Sequence, residues 1–228
     1  MAHGQILLEA IHRHPTEYLE QPSLRRLIAF DDGYAWACAS AEVADPLLPI
    51  DQKFDQWMSE QLNFPRTNQA WWGKLLLMYS DHDAFHAAFD YFARYRPHHS
   101  FEASGLPFTK LTWESLLASI RKRPPMYLGK SSVTLARAFW DGYGHAARVH
   151  HPKDDPTPTL EHFSQWLSRE WAGLERTYRW EKVLLFAHSD ESDALKEFFL
   201  TFDQFCATES PNAPSHPVHG NADVAVAS

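Results

Sequence analysis

The amino-acid sequence predicts an all-α protein built from two homologous helical lobes, and three observations carry that expectation. First, residues 7–37 realign on residues 116–146 without a gap at an offset of 109, with 13 identities in 31 columns. The identities are Leu7, Leu8, Ile11, Pro15, Tyr18, Leu19, Ser23, Ala29, Phe30, Asp32, Gly33, Tyr34 and Ala37. Second, apolar residues recur at helical spacing in both copies. Third, a proline closes the same element in each. A period this long reads as domain duplication, since solenoid repeats run about 20–50 residues. The expected organisation is a first helical repeat over 1–104, a second over 105–206 and a disordered tail over 207–228. The tail is rich in Pro, Ala, Ser and Asn and has no apolar periodicity. His98 to Pro107 reads as the loop joining the repeats.

The first helix of each copy should run from Leu7 to His14 and from Trp113 to Arg123. It ends because the residue before Pro15 or Pro124 is driven out of the helical region. Thr112 is a natural cap for the second copy. A turn follows, with Glu20 in one copy where the other has Gly129. Then comes a helix over 23–39 or 132–148, each with its own serine cap.

The third helix places Phe54, Trp57, Met58 and Leu62 at i, i+3, i+4 and i+8, and Phe163, Trp166, Leu167 and Trp171 repeat the pattern. Asp51 and Thr159 are its expected caps. One inserted residue later, Phe85, Ala88, Phe89 and Phe92 match Leu195, Phe198, Phe199 and Phe202 on a last helix. Between them lie the five-residue apolar runs 75–79 and 183–187. Periodicity alone leaves these as buried helix or minor β strand; their helical neighbours favour helix.

At 44% hydrophobic, with 15 Phe, 9 Trp and 8 Tyr, each half can bury a core of its own. Cys38 and Cys206 fall at inequivalent repeat positions, which argues against a disulfide framework and for two buried, inert thiols in a reducing compartment. The start of the chain lacks the features of a secretory signal, and no run approaches the ~18 apolar residues of a membrane span. A cytoplasmic protein, monomeric when free, is expected. The net charge of −8 is uneven: residues 1–109 hold 8 Lys/Arg against 14 Asp/Glu, whereas residues 110–206 hold 13 of each. That balance disfavours nucleic-acid binding and suits a basic protein partner.

Candidate chemistry is sparse. Residues 120–129, Ile-Arg-Lys-Arg-Pro-Pro-Met-Tyr-Leu-Gly, look like a stretch near the start of gyrase-type ATPase domains. The helix that follows carries neither the Glu nor the Asn such an ATPase needs, and no glycine-rich nucleotide loop appears later. His82 and His86 share a helix face at i, i+4, but two ligands do not make a zinc site and the second copy lacks them. The remaining histidines fall in loops or the tail. No nucleophile elbow, zinc motif or P-loop occurs, so no enzyme, cofactor or metal is expected. Asp31-Asp32, Asp154-Asp155 and Asp190-Glu191 are explained by capping and the helix dipole.

The same basic turn, read with Phe-Trp-Asp-Gly-Tyr at 139–143 and the acidic start of the helix over 189–199, resembles a group of small bacterial immunity proteins. Those proteins neutralise secreted toxins, including contact-dependent and type VI secretion effectors. The resemblance covers nearly all of residues 113–206 and, more weakly, 5–95. It implies an immunity protein that occludes a cognate toxin, possibly a nuclease given the acidic charge. Expected contacts to the toxin's Lys and Arg are Asp45, Asp51, Asp55, Glu60, Asp81 and Asp83, with Trp72 as an aromatic anchor. Trp72 has Glu181 opposite it in the repeat, which marks it as less essential to the core than Trp71. Tyr18, Leu19, Phe30 and Tyr34, with Tyr127, Leu128, Phe139 and Tyr143, should pack the fold, and Asp32 and Asp141 should cap backbone or pair with arginine. The alternative reading is a non-enzymatic adaptor that binds another cellular protein.

Overall fold

The computed structural model describes residues 2–51, 53–65, 69–95 and 111–209, and these form helices and turns with no strand among them. The first repeat runs α1 (His3–Arg13), α2 (Pro15–Leu19), α3 (Leu24–Ser40), α4 (Phe54–Gln61), α5 (Trp71–Met78) and α6 (Asp81–Arg94). The second runs α7 (Trp113–Lys122), α8 (Pro124–Leu128), α9 (Val133–His150), α10 (Thr157–Trp166), α11 (Trp180–Ala187) and α12 (Glu191–Glu209). A 3-10 turn over Pro152–Asp154 precedes α10, and a π turn over Leu167–Trp171 extends it. The joining loop and residues 210–228 of the expected tail lie outside the described residues; 207–209 complete α12. No described helix is long and apolar enough to cross a membrane.

The turns expected after Pro15 and Pro124 are single-turn helices. Each proline occupies a first helical position, where its missing N–H has no acceptor to lose. Each short helix ends in a left-handed residue, Gly129 at φ 73° and Glu20 at φ 63°. Glycine adopts that conformation freely and glutamate does not, so Glu20 must be held by its side chain. Ser23 Oγ and Ser132 Oγ then accept from the amides of Arg26 and Leu135 and cap α3 and α9.

Other expected details are corrected. Thr159 lies inside α10, which begins two residues earlier behind Pro156. Asp51 accepts from the Lys53 amide at 2.8 Å, but α4 starts only at Phe54 and has no side-chain cap at Lys53. Residues 75–78 and 183–187 lie in helices, with Tyr79 the extended residue that ends α5, and neither run is wholly buried. Leu75, Val183 and Leu184 face the core, whereas Leu77 is 74% and Phe186 90% exposed. Only one side of an eight-residue helix can meet the core, so an unbroken apolar run must wrap into solvent. Cys38 is buried as expected; Cys206 is exposed on α12.

The repeats join through α3 and α9, which share the most extensive contact in the molecule. Ala29, Gly33 and Ala37 recur one helical turn apart on α3, and Ala138, Gly142 and Ala146 stand at the same repeat positions on α9; all six are buried. The stripes face each other in opposed directions. A Cβ added at Gly33 would lie 1.9 Å from the Phe139 carbonyl oxygen, and one at Gly142 would lie 1.9 Å from that of Phe30. Backbone therefore touches backbone across an approximate two-fold axis. Tyr127 reaches across to Trp36, and Tyr18 reaches to His145, the residue at the repeat position of Trp36. One continuous apolar core runs through both repeats.

Candidate partner-binding surface

Several acidic residues expected on the surface belong to the frame. Asp45 is buried, and its carboxylate accepts from the Gly4 amide at 3.0 Å and from the Tyr34 hydroxyl at 2.7 Å. His150 Nε2 of the other repeat lies 2.9 Å from it. Burial opposes the charge on Asp45, but these bonds outweigh it and hold the carboxyl below its ordinary range. Asp154, at the matching repeat position, does the same work: it accepts from the Trp113 amide and from Tyr143. Asp81 accepts from Ser23 Oγ at 2.6 Å and from the Arg25 amide, and its counterpart Glu191 accepts from Ser132 and from the Thr134 amide. Each acid ties the last helix of its repeat to the N-terminus of the long one, where the helix dipole favours an anion. Asp45 and Asp81 are thus corrected from expected toxin contacts to helix anchors. The signal for this lay in the repeat offset, because an acid kept in both copies serves what the copies share.

The other expected contacts are dispersed. Asp51 accepts from Tyr95 as well as from Lys53. Asp55 pairs at 2.8 Å with Lys74, whose side chain is wholly buried and also bonds Ser59. Glu60 is exposed and accepts from Gln56. Asp83 is exposed and bonded to Ser80 at its own helix start. Trp72 is partly buried against the core, and Trp71 is buried outright. Among the described residues no contact joins them into one patch. In the basic turn, Arg121 binds Asp203 at 2.6 Å and the Phe199 carbonyl, which ties α7 to α12. His82 and His86 stack edge to face at 4.9 Å, and no group able to hold a metal occurs among the described residues.

The clearest difference between the repeats lies on either side of the α3–α9 crossing. On one side the guanidinium of Arg137 grips Asp141 with two contacts, at 2.9 and 2.8 Å. Beside it Arg179 Nε stands 2.8 Å from Glu181, a carboxylate that is buried and makes no aligned hydrogen bond. Burial pushes the Glu181 and Asp141 carboxyls upward against the pull of the arginines. Glu20 binds Arg26 of its own repeat at 2.6 Å and reaches across to Lys182 at 3.0 Å and Arg179 at 3.2 Å. Those three cations fix its left-handed backbone. Burial again opposes the charge, but the bonds from Arg26 and Lys182 win and lower its carboxyl.

On the other side the offset of 109 replaces almost every charge. Ile28 stands for Arg137, Ala70 for Arg179, Trp72 for Glu181, Gly73 for Lys182 and Gly129 for Glu20. Only the aspartate is retained, as Asp32. Among the described residues its side chain makes no hydrogen bond or ion pair, unlike Asp141. Asp32 is open to solvent at its surface, yet the protein around it pushes its carboxyl up to about 7. Its neighbour Asp31 is pushed up to about 8, by burial first and by the charge of Asp32 second, against an opposing bond from the Leu48 backbone. Reading Asp31-Asp32 as cap residues missed this, since both lie mid-helix.

Two further exposed features were not expected: Leu77 and Phe186, which share a repeat position at the ends of α5 and α11. No protein-family model, no curated protein and no solved structure matches the chain.

Proposed function

We propose that this chain is a cytoplasmic immunity protein that binds and occludes a basic, secreted antibacterial toxin. The observation that carries the reading is the imbalance of charge between the repeats. The first repeat sets 8 Lys/Arg against 14 Asp/Glu and turns Glu60, Asp83 and Asp90 outward, whereas the second holds 13 of each. A surface of that kind steers and selects a cationic partner. The likeness of residues 113–206 to immunity proteins supports the same class, and the acidity suits a nuclease whose own substrate is anionic.

The test is capture of the inactivated product of the adjacent gene by the tagged full chain, at low and high salt. Stoichiometric, salt-weakened capture of a basic toxin is the expected outcome. No capture at either salt rejects the immunity reading. An adaptor is the second reading, favoured by Phe186 and Leu77, which offer an apolar contact at both repeats. Capture insensitive to salt but lost in Phe186→Ser would select it.

A further inference from the structure

Three histidines gather where the first repeat meets the C-terminal half of α9. His145 lies against the rings of Tyr18 and Phe30, at 5.5 and 5.6 Å. Farther along the same helix, His150 puts Nε2 2.9 Å from Asp45 of the first repeat. His3, at the start of α1, meets the His150 ring edge to face at 6.3 Å and lies parallel to the Tyr34 ring at the same separation. Its Nε2 is buried and has no hydrogen-bond partner. At the matching repeat positions stand Thr112 for His3, Trp36 for His145 and Ala41 for His150, so the other side of the crossing carries no such group.

The surroundings suit neutral rings. Asp45 bonds His150 but is shared with the Gly4 amide and the Tyr34 hydroxyl. His145 feels Arg148 of its own helix and His3 of α1, and in the opposing sense Asp155 of the turn after α9. Asp154 lies 3.8 Å from His151 and accepts from Tyr143 and the Trp113 amide. Tyr34 and Cys38, from α3, are held in their protonated forms by burial and bring no charge. One shared carboxylate can compensate one imidazolium. Further charged rings would stand beside a like charge, and the buried His3 nitrogen would hold a proton with no acceptor. Burial first and the charge of Arg148 second already lower the His145 ring to about 4. We infer that His3, His145 and His150 form an acid-sensitive seam, which parts α1 and α2 from α9 as the rings gain protons while the backbone contact of α3 with α9 holds. Neutral rings close the seam and charged rings open it, so opening grows as pH falls. The inference goes beyond the proposed function and does not depend on it.

The chain carries its own reporter. Cys38 is buried with Sγ 3.6 Å from the Asp45 carbonyl oxygen, at the seam, whereas Cys206 is exposed. In the full chain with Cys206→Ser, Cys38 is labelled by a dipyridyl disulfide, which reacts with thiols in acid as well as at neutral pH. The rate is followed from about pH 7.5 to about pH 5, beside far-UV circular dichroism. Labelling of Cys206 in Cys38→Ser supplies the reagent's own response to pH. After that correction, Cys38 labelling should rise about tenfold or more at unchanged helical signal. The pair His3→Thr and His145→Trp installs the residues of the other side of the crossing and should abolish the rise. Should the pair not fold, His3→Thr alone decides: it should reduce the rise, and Thr112 shows that the position accepts threonine as a helix cap. Labelling that does not rise, that rises only as the helical signal is lost, or that rises undiminished in His3→Thr would each overturn the inference.

Discussion

Replacing Gly33 by alanine should destabilise the protein, although the same change in a helix exposed to water stabilises it. The propensity term favours alanine by about 1 kcal/mol. Against it, the new Cβ would sit 1.9 Å from the Phe139 carbonyl oxygen, where ordinary contact needs 3.4 Å or more. The obstructing atom is backbone, so α3 and α9 must separate by more than 1 Å along the crossing. A gap of about 0.5–1 Å forfeits a quarter to a half of each dispersion contact. If about fifty atom pairs at about 0.15 kcal/mol lose half their attraction, the cost is about 4 kcal/mol. The net loss is then about 3 kcal/mol, which for a chain of this size lowers Tm by roughly 6–12 °C. Gly142→Ala should behave alike, since it meets Phe30 at the same distance. The double variant should cost clearly less than the sum, because one separation relieves both clashes. Calorimetry and urea titration read all three. Gly129→Ala, with nothing within 4 Å of the added carbon, is the control and should cost only the strain of its left-handed backbone, about 1 kcal/mol. Unchanged or raised stability in Gly33→Ala, or strict additivity in the double variant, would refute the crossing described above.

Asp31→Asn should stabilise the protein at neutral pH. Its carboxyl is raised above the unfolded value, so wild-type stability is whole near pH 4 and falls as pH climbs to about 8. The full shift corresponds to at most about 6 kcal/mol, and solvent access reduces this to about 2 kcal/mol; the gain in urea midpoint should vanish at pH 4. His145 works in the opposite sense. Burial, with the charge of Arg148 behind it, lowers its ring to about 4, so stability is whole above pH 6.5 and is lost as pH falls toward 4. His145→Phe should flatten that acid limb by up to about 3 kcal/mol. Asp45→Ala strips the Gly4 amide and the Tyr34 hydroxyl of their acceptor and should cost about 3 kcal/mol, with early exchange of the α1 amides.

The helices and their order were legible because the cues are local: prolines 15 and 124, serine caps 23 and 132, and apolar residues at 3.6 spacing. Thr159 was misplaced because Pro156 and Pro158 can both stand in a first turn, which moves a helix start without altering its apolar face. The surface was harder to read. Charge composition identified the acidic repeat, but whether Asp45 or Glu60 faces solvent depends on residues 41 positions away and on another helix. The alanine and glycine stripe was visible among the identities; its meaning required knowing that the two copies face each other. Asp32 could not be singled out by type or spacing, because its distinction is the absence of arginines that its repeat partner has.

The crossing of α3 and α9 is isologous: the same patch of each copy meets itself. In a homodimer of single repeats every residue near such an axis must tolerate its own image, and any recess appears twice. Fusion into one chain lifts that restriction. A glutamate can then occupy the position that glycine holds in the other copy, and arginines can gather on one flank while the other stays bare. A crossing that is symmetric in its backbone contacts thereby carries two unlike flanks, one charged and one nearly bare.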